Sequence, residues 1–207
     1  YLATAGYDGT TKIWEVTSGH LLACILHEDI VWDVAFSPNG KYFATASSDN
    51  IARICKVPTG RLLKRLRHKD TVTRVTFSPD SKCLATGSED GIVGIWEVTT
   101  GHQTTHLVHS ESVQKIIFSQ DGRFLVTEGG NRAARVWDMA TGHQLAYLIH
   151  EDDTNSAINV AFSPQGNYIV TGSEDGTARL WIATQRSQPA HFAHKDIVWD
   201  VAYSPDG

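Results

Sequence analysis

The chain has 207 residues, 41% of them hydrophobic and 20% charged, with a formal net charge of −5. That is enough for one domain with a real core, and the acidic balance argues against broad nucleic-acid binding, which needs a basic footprint. Cys24, Cys55 and Cys83 have no C-x2-C spacing, no apolar run reaches membrane-span length and no signal-peptide pattern opens the chain, so the expectation is a reducing compartment, the cytoplasm, with no membrane contact.

The chain opens on YLATAG, inside a repeat and without Met, which leads us to expect a piece of a larger multidomain protein. The repeat is anchored at Trp14, Cys55, Trp96, Trp137 and Trp181, spaced 41, 41, 41 and 44 residues apart. His27, His68, His109, His150 and His194 each follow an anchor by 13 residues. Such a period marks units that cannot bury an apolar face alone. The unit from His68 to Thr105 shows the content of one repeat. DTVTRVTFSP alternates apolar and polar residues up to a Ser-Pro-Asp-Ser turn; KCLATGS, IVGIWEV and HQTTHLV follow, separated by Glu-Asp-Gly and Thr-Thr-Gly. These are four short strands, here termed a to d. No helical period is sustained, so the chain is predicted to be all-β.

Four-stranded sheets at this period match propeller blades. With its spaced His, F-S-P-x-G turn, ATGSEDG-type strand and turn, and Trp, the chain resembles the WD-repeat β-propeller family over essentially its whole length. Asp8, Asp49, Asp90 and Asp175 each stand six residues before an anchor. Among the anchors the Trp-Asp pair survives only at Trp137-Asp138, and the Gly that usually precedes the His is replaced by Leu26, Arg67, Val108, Ile149 and Ala193. The predicted single domain over 1–207 has five blades, at 197–207 plus 1–26, 27–67, 68–108, 109–149 and 150–193. The final strand a, DIVWDVAYSPDG, would pair with the N-terminal strands b, c and d and close the ring, leaving a monomer. The alternative is a fragment of a longer, seven-bladed propeller.

The resemblance implies a polar network of His, hydroxyl, Asp and Trp inside each blade. Full sets are expected at His68, Ser88, Asp90, Trp96 and at His150, Ser173, Asp175, Trp181. A buried indole N–H needs an acceptor, and a buried imidazole must be held in one tautomer. A His, Ser and Asp that recur in every blade read as stability elements and not as a hydrolase triad. The resemblance also implies that residues around the start of strand a, and those before the b–c Asp, meet partners. These are Ile30, Trp32, Thr73, Gln114, Ile158, Ile197 and Trp199, with Tyr7, Glu89 and Glu174. In strand a, alternation sends Val31 and Val34 to the core and Trp32 outward.

Other features carry plainer readings. RLLKRLRHK (Arg61 to Lys69) on strand d reads as an edge guard, and His102, His106, His109, His191 and His194 follow from the repeat without implying a metal. HEDDTNSAINV is a longer acidic d–a loop in which binding specificity could reside. No phosphate loop or nucleophile elbow occurs. The function expected is a non-catalytic scaffold for a protein or peptide partner, with no cofactor. The rival expectations are a hydrolase or lyase using the central channel, and a self-associating repeat segment.

Overall fold

The structure is a computed structural model that describes residues 1–130, 133–150, 157–184, 190–204 and 206, with 157 and 158 described by backbone alone. The acidic loop at 151–156 lies outside the described residues, as does the side chain of Ile158. Every regular element described is a β-strand, and the strands form sheets of sequence neighbours. β1 (Leu2–Ala5), β2 (Thr10–Trp14) and β3 (Leu21–Leu26) make a sheet of three. β4 (Val31–Phe36), β5 (Tyr42–Ser47), β6 (Ile51–Lys56) and β7 (Arg61–Arg67) make the second sheet. The third holds β8 (Val72–Phe77), β9 (Cys83–Ser88), β10 (Ile92–Glu97) and β11 (Gln103–Val108). The fourth holds β12 (Val113–Phe118), β13 (Phe124–Gly129), β14 (Ala134–Asp138) and β15 (Gln144–Leu148). The last holds β16 (Ala157–Phe162), β17 (Tyr168–Ser173), β18 (Thr177–Ile182) and β19 (Ala190–Ala193). Strands a to d of each repeat are therefore successive neighbours in one antiparallel sheet.

The hairpins follow from local chemistry. In the a–b turn of the third sheet, the Cys83 N–H donates to Ser78 Oγ at 2.9 Å, and Ser78 Oγ–H donates to Asp80 Oδ1 at 2.6 Å. Ser37 and Ser119 repeat that bond pattern. Strand b is buried along nearly its whole length, as in β5, β9 and β13. Strand d is largely exposed, with one fully buried residue in each of β7 and β11, Leu66 and Leu107.

Two compact units divide the chain, residues 1–116 and 117–207. In the first, Ile13, Phe43, Cys55 and Val57 pack as one cluster, and Ile54, Leu66, Val72, Val75, Leu84 and Trp96 belong to another. Small residues let the sheets approach: a Cβ on Gly87 would stand 2.6 Å from Val113 Cγ1. In the second unit the core includes Phe124, Val126, Val136, Leu148, Val160, Ile169 and Trp181. Of residues 197–207, expected to supply the fourth strand of the first sheet, those described (197–204 and 206) are in no strand, and among the described residues that sheet consists of β1, β2 and β3. The backbone of residues 197–204 is tied to the last sheet, where the Val198 N–H donates to Ser173 O at 2.9 Å and Val198 lies over Gly172.

Candidate functional site

A relay of hydrogen bonds stiffens the third and the last sheets. In the last sheet Trp181 Nε1–H donates to Thr171 Oγ1 at 2.8 Å, and His150 Nε2 lies 2.8 Å from the same oxygen. His150 Nδ1 meets Asp175 Oδ2 at 3.0 Å. A carboxylate only accepts, so Nδ1 carries the ring proton and Nε2 accepts from the Thr171 hydroxyl. Burial lowers the His150 pKa despite the opposing Asp175, which keeps the ring neutral. In the third sheet Trp96 Nε1–H and His68 Nε2 likewise converge on Thr86 Oγ1, each at 2.8 Å, and the His68 and Trp96 rings meet edge to face. Asp90 closes its own turn by accepting from the Ile92 N–H at 2.9 Å.

The linking hydroxyl is therefore a threonine, where the sequence reading had placed Ser88 and Ser173. Ser88 Oγ–H donates instead to Asp70 O at 3.1 Å, and Ser173 Oγ accepts from the Asp175 N–H at 3.2 Å. Residues two apart on a strand share a face, so alternation alone could not separate Thr from Ser. The signal was nonetheless present: Thr4, Thr45, Thr86, Thr127 and Thr171 each stand ten residues before an anchor. Trp14 and Trp137 also donate to their threonines, at 3.0 and 2.7 Å.

The second sheet is built differently. Cys55 replaces the indole, and the buried Thr45 Oγ1 has no hydrogen-bond partner among the described residues. Arg53 holds Asp49 through two bonds of 2.6 and 3.0 Å, and its guanidinium also lies 2.9 Å from His27 Nδ1. His27 Nε2 then reaches Thr11 of the first sheet at 3.3 Å. Burial and the neighbouring Arg53 lower the His27 pKa to about 4. Burial alone would raise the Asp49 carboxyl; the Arg53 hydrogen bonds and charge, together with the Glu28 and Ile51 N–H groups, outweigh it and hold the group below its usual range.

The rim residues are set out by a β-bulge at the start of strand a. Val31 pairs with Ser47 and Asp33 with Ala46, so Trp32 is the extra residue; Thr73 and Ile158 stand at the same step of β8 and β16. A bulge re-aims the side chain it carries, a device invisible to strict alternation. Trp32 remains 41% exposed, donates its indole N–H to Ser48 Oγ at 2.7 Å and receives the Tyr7 ring edge to face at 5.6 Å. Trp32, Thr73, Arg74, Glu89 and Gln114 line one cavity of about 220 Å³ in the first unit. Thr73 is buried, and its hydroxyl is committed to Val113 O at 2.6 Å. Glu89 and Gln114 are exposed, while Arg74 donates to Thr73 O at 2.7 Å. The cavity thus offers an indole wall, a carboxylate, a guanidinium and a primary amide. Ile30 is half-buried; in the second unit Trp199 is exposed, and Ile197 and Glu174 are half-buried.

The family model of the IFT122 first beta-propeller matches residues 30–207. The chain belongs to this β-propeller family. Among solved structures, the crystal structure of the computationally designed Ika8 protein aligns with a TM-score of 0.83 at 23% identity, over 98% of this chain and 62% of that one. At that identity the likeness speaks to fold alone, and this chain spans less than two thirds of the Ika8 chain. A search of the curated proteins gave no significant match. In this member of the IFT122-type propeller family, no described cluster of three or more His, Cys, Asp or Glu could hold a metal ion, and no described helix is long and apolar enough to cross a membrane. The relay and the rim occupy different atoms of the propeller sheets, the relay deep between strands and the rim where strand a begins.

Proposed function

We propose that the chain is a non-catalytic scaffold within a larger cytoplasmic protein, and that it seats a protein or peptide partner on the rim around Trp32. The observation that carries this reading is the cavity in which Trp32, Thr73, Glu89 and Gln114 meet beside Arg74, with Tyr7 edge to face against the indole. Its volume of about 220 Å³ lies below the roughly 300–1,000 Å³ of small-molecule pockets, and suits one or two side chains of a partner. An exposed Trp flanked by polar groups has the character of an interface anchor. Because strand pairing and the relay hold the rim in place, binding costs little ordering entropy. Ile30 extends this surface, and Ile158, Glu174, Ile197 and Trp199 offer corresponding positions in the second unit.

The test is Trp32→Ala combined with Glu89→Lys, followed by thermal unfolding and by affinity capture from the native source. Trp32 is partly exposed, so the pair should cost no more than about 1 kcal/mol of stability. The proteins captured by the parent chain should be lost. An unchanged set of captured proteins, or collapse of the fold, would contradict the proposal.

A further inference from the structure

The outer strand of the second sheet is unlike its counterparts. β7 is the last strand of its sheet, so its outer backbone edge is open among the described residues. It reads RLLKRLR, and Lys56 and Lys69 flank it in the fold. Lys56, Arg61, Arg65, Arg67 and Lys69 are all exposed, and none forms an ion pair with a described residue. The corresponding outer strands are LLACIL, QTTHLV, QLAYL and AHFA, and none contains Lys, Arg, Asp or Glu. Charge can guard an open edge against aggregation. Yet four sibling edges in this molecule carry no such guard, so guarding alone does not account for five cations on the fifth. Their gathering is also contrary to the chain's net charge of −5.

The pairing register distributes these cations around the edge. Arg65 and Arg67 pair with Arg53 and Ile51, while Arg61 pairs with Lys56 and Lys64 with Ile54. A bulge between Ile54 and Cys55 shifts the alternation, so Arg65 and Arg67 lie on one face and Arg61, Lys56 and Lys64 on the other. A strand laid along β7 would find cations on both of its faces. Lys64 is partly occupied, since its stem lies where a Cβ on Gly101 would fall. No aromatic residue in β7 offers a base a stacking platform, which disfavours single-stranded nucleic acid.

We infer that β7 is a docking edge for an extended acidic peptide, which adds to the sheet as a fifth strand. Main-chain hydrogen bonds to the open edge hold the segment, and Glu or Asp on both of its faces meet the arginines. This surface is separate from the Trp32 cavity, and the two proposals stand or fall independently.

The experiment titrates the whole chain against a fluorescein-labelled ten-residue peptide of Glu and Thr, read by anisotropy. The comparison probes are the same peptide N-methylated at alternate residues, its Lys/Thr analogue, a thymidine decanucleotide and vesicles containing phosphatidylserine. The acidic peptide should bind, and the Lys/Thr analogue should not. Binding should weaken by about tenfold or more in the Arg61→Glu/Arg65→Glu/Arg67→Glu variant, and by a similar factor on N-methylation. The milder Arg65→Gln/Arg67→Gln pair should weaken it about threefold, and serves as the deciding variant if the triple change alters the circular dichroism spectrum. Trp32→Ala should leave the peptide affinity unchanged. The inference is overturned if the acidic peptide fails to bind, or if both arginine variants bind it as the parent does. It is equally overturned if the N-methylated peptide, the oligonucleotide or the vesicles bind as tightly, because the attraction would then be charge without strand addition.

Discussion

The second and third sheets share a strand order and a 41-residue period, yet they solve the same interior problem in different ways. In the third, Thr86 receives the Trp96 indole and touches His68. In the second, the indole is replaced by Cys55, Thr45 has no hydrogen-bond partner among the described residues, and Arg53 gathers Asp49 and His27 into an ionic cluster that reaches the first sheet. The contrast shows that the repeat specifies a buried polar link in each blade without dictating which atoms supply it. Neutral relays lock one sheet internally, whereas the arginine cluster ties one sheet to its neighbour.

The largest effect should come from breaking a complete relay. Thr171→Val keeps the side-chain shape but leaves the Trp181 N–H and His150 Nε2 without their shared partner, at a cost of about 2–3 kcal/mol in chemical denaturation. Gly94→Ala should follow at about 1–2 kcal/mol. Its Cβ would fall 2.5 Å from Trp96 Nε1 and push the indole off Thr86, which near-ultraviolet circular dichroism would register as a changed tryptophan signal.

Acid sharpens the comparison from the other side. The folded His27 pKa of about 4 lies below its ordinary value of 6.5, so between those values the unfolded chain binds the extra proton. Stability from this group is complete above pH 6.5 and is lost as the pH falls towards 4. His68 and His150 shift in the same direction, so the readout is the difference between the parent chain and His27→Gln. Going from pH 7 to pH 4 the parent should lose about 1 kcal/mol more than the variant, a modest figure because solvent screens a half-exposed ring.

Most of the strand order was legible in the sequence, because apolar alternation and the Ser-led turn that follows strand a (SPNG, SPDS, SQDG, SPQG and SPDG) are local signals that recur five times over. Trp32 was legible as an outward residue, though the bulge that turns it out was not, since a bulge is a property of two paired strands. The relay was half legible. His68, Asp90 and Trp96 were singled out, but Thr86 and Ser88 share a face and only the first reaches the indole. Arg53 was missed because nothing in its local pattern separates a cation that snorkels to solvent from one that turns back onto Asp49.

The central claim is that Thr86 carries its sheet's internal link while Thr45, its counterpart, carries none. Urea unfolding of Thr86→Val beside Thr45→Val tests it directly. Thr86→Val should lose about 1–3 kcal/mol, and Thr45→Val should change stability by less than about 0.5 kcal/mol or raise it, because a buried hydroxyl without a partner is removed. Equal losses in the two variants would contradict the account.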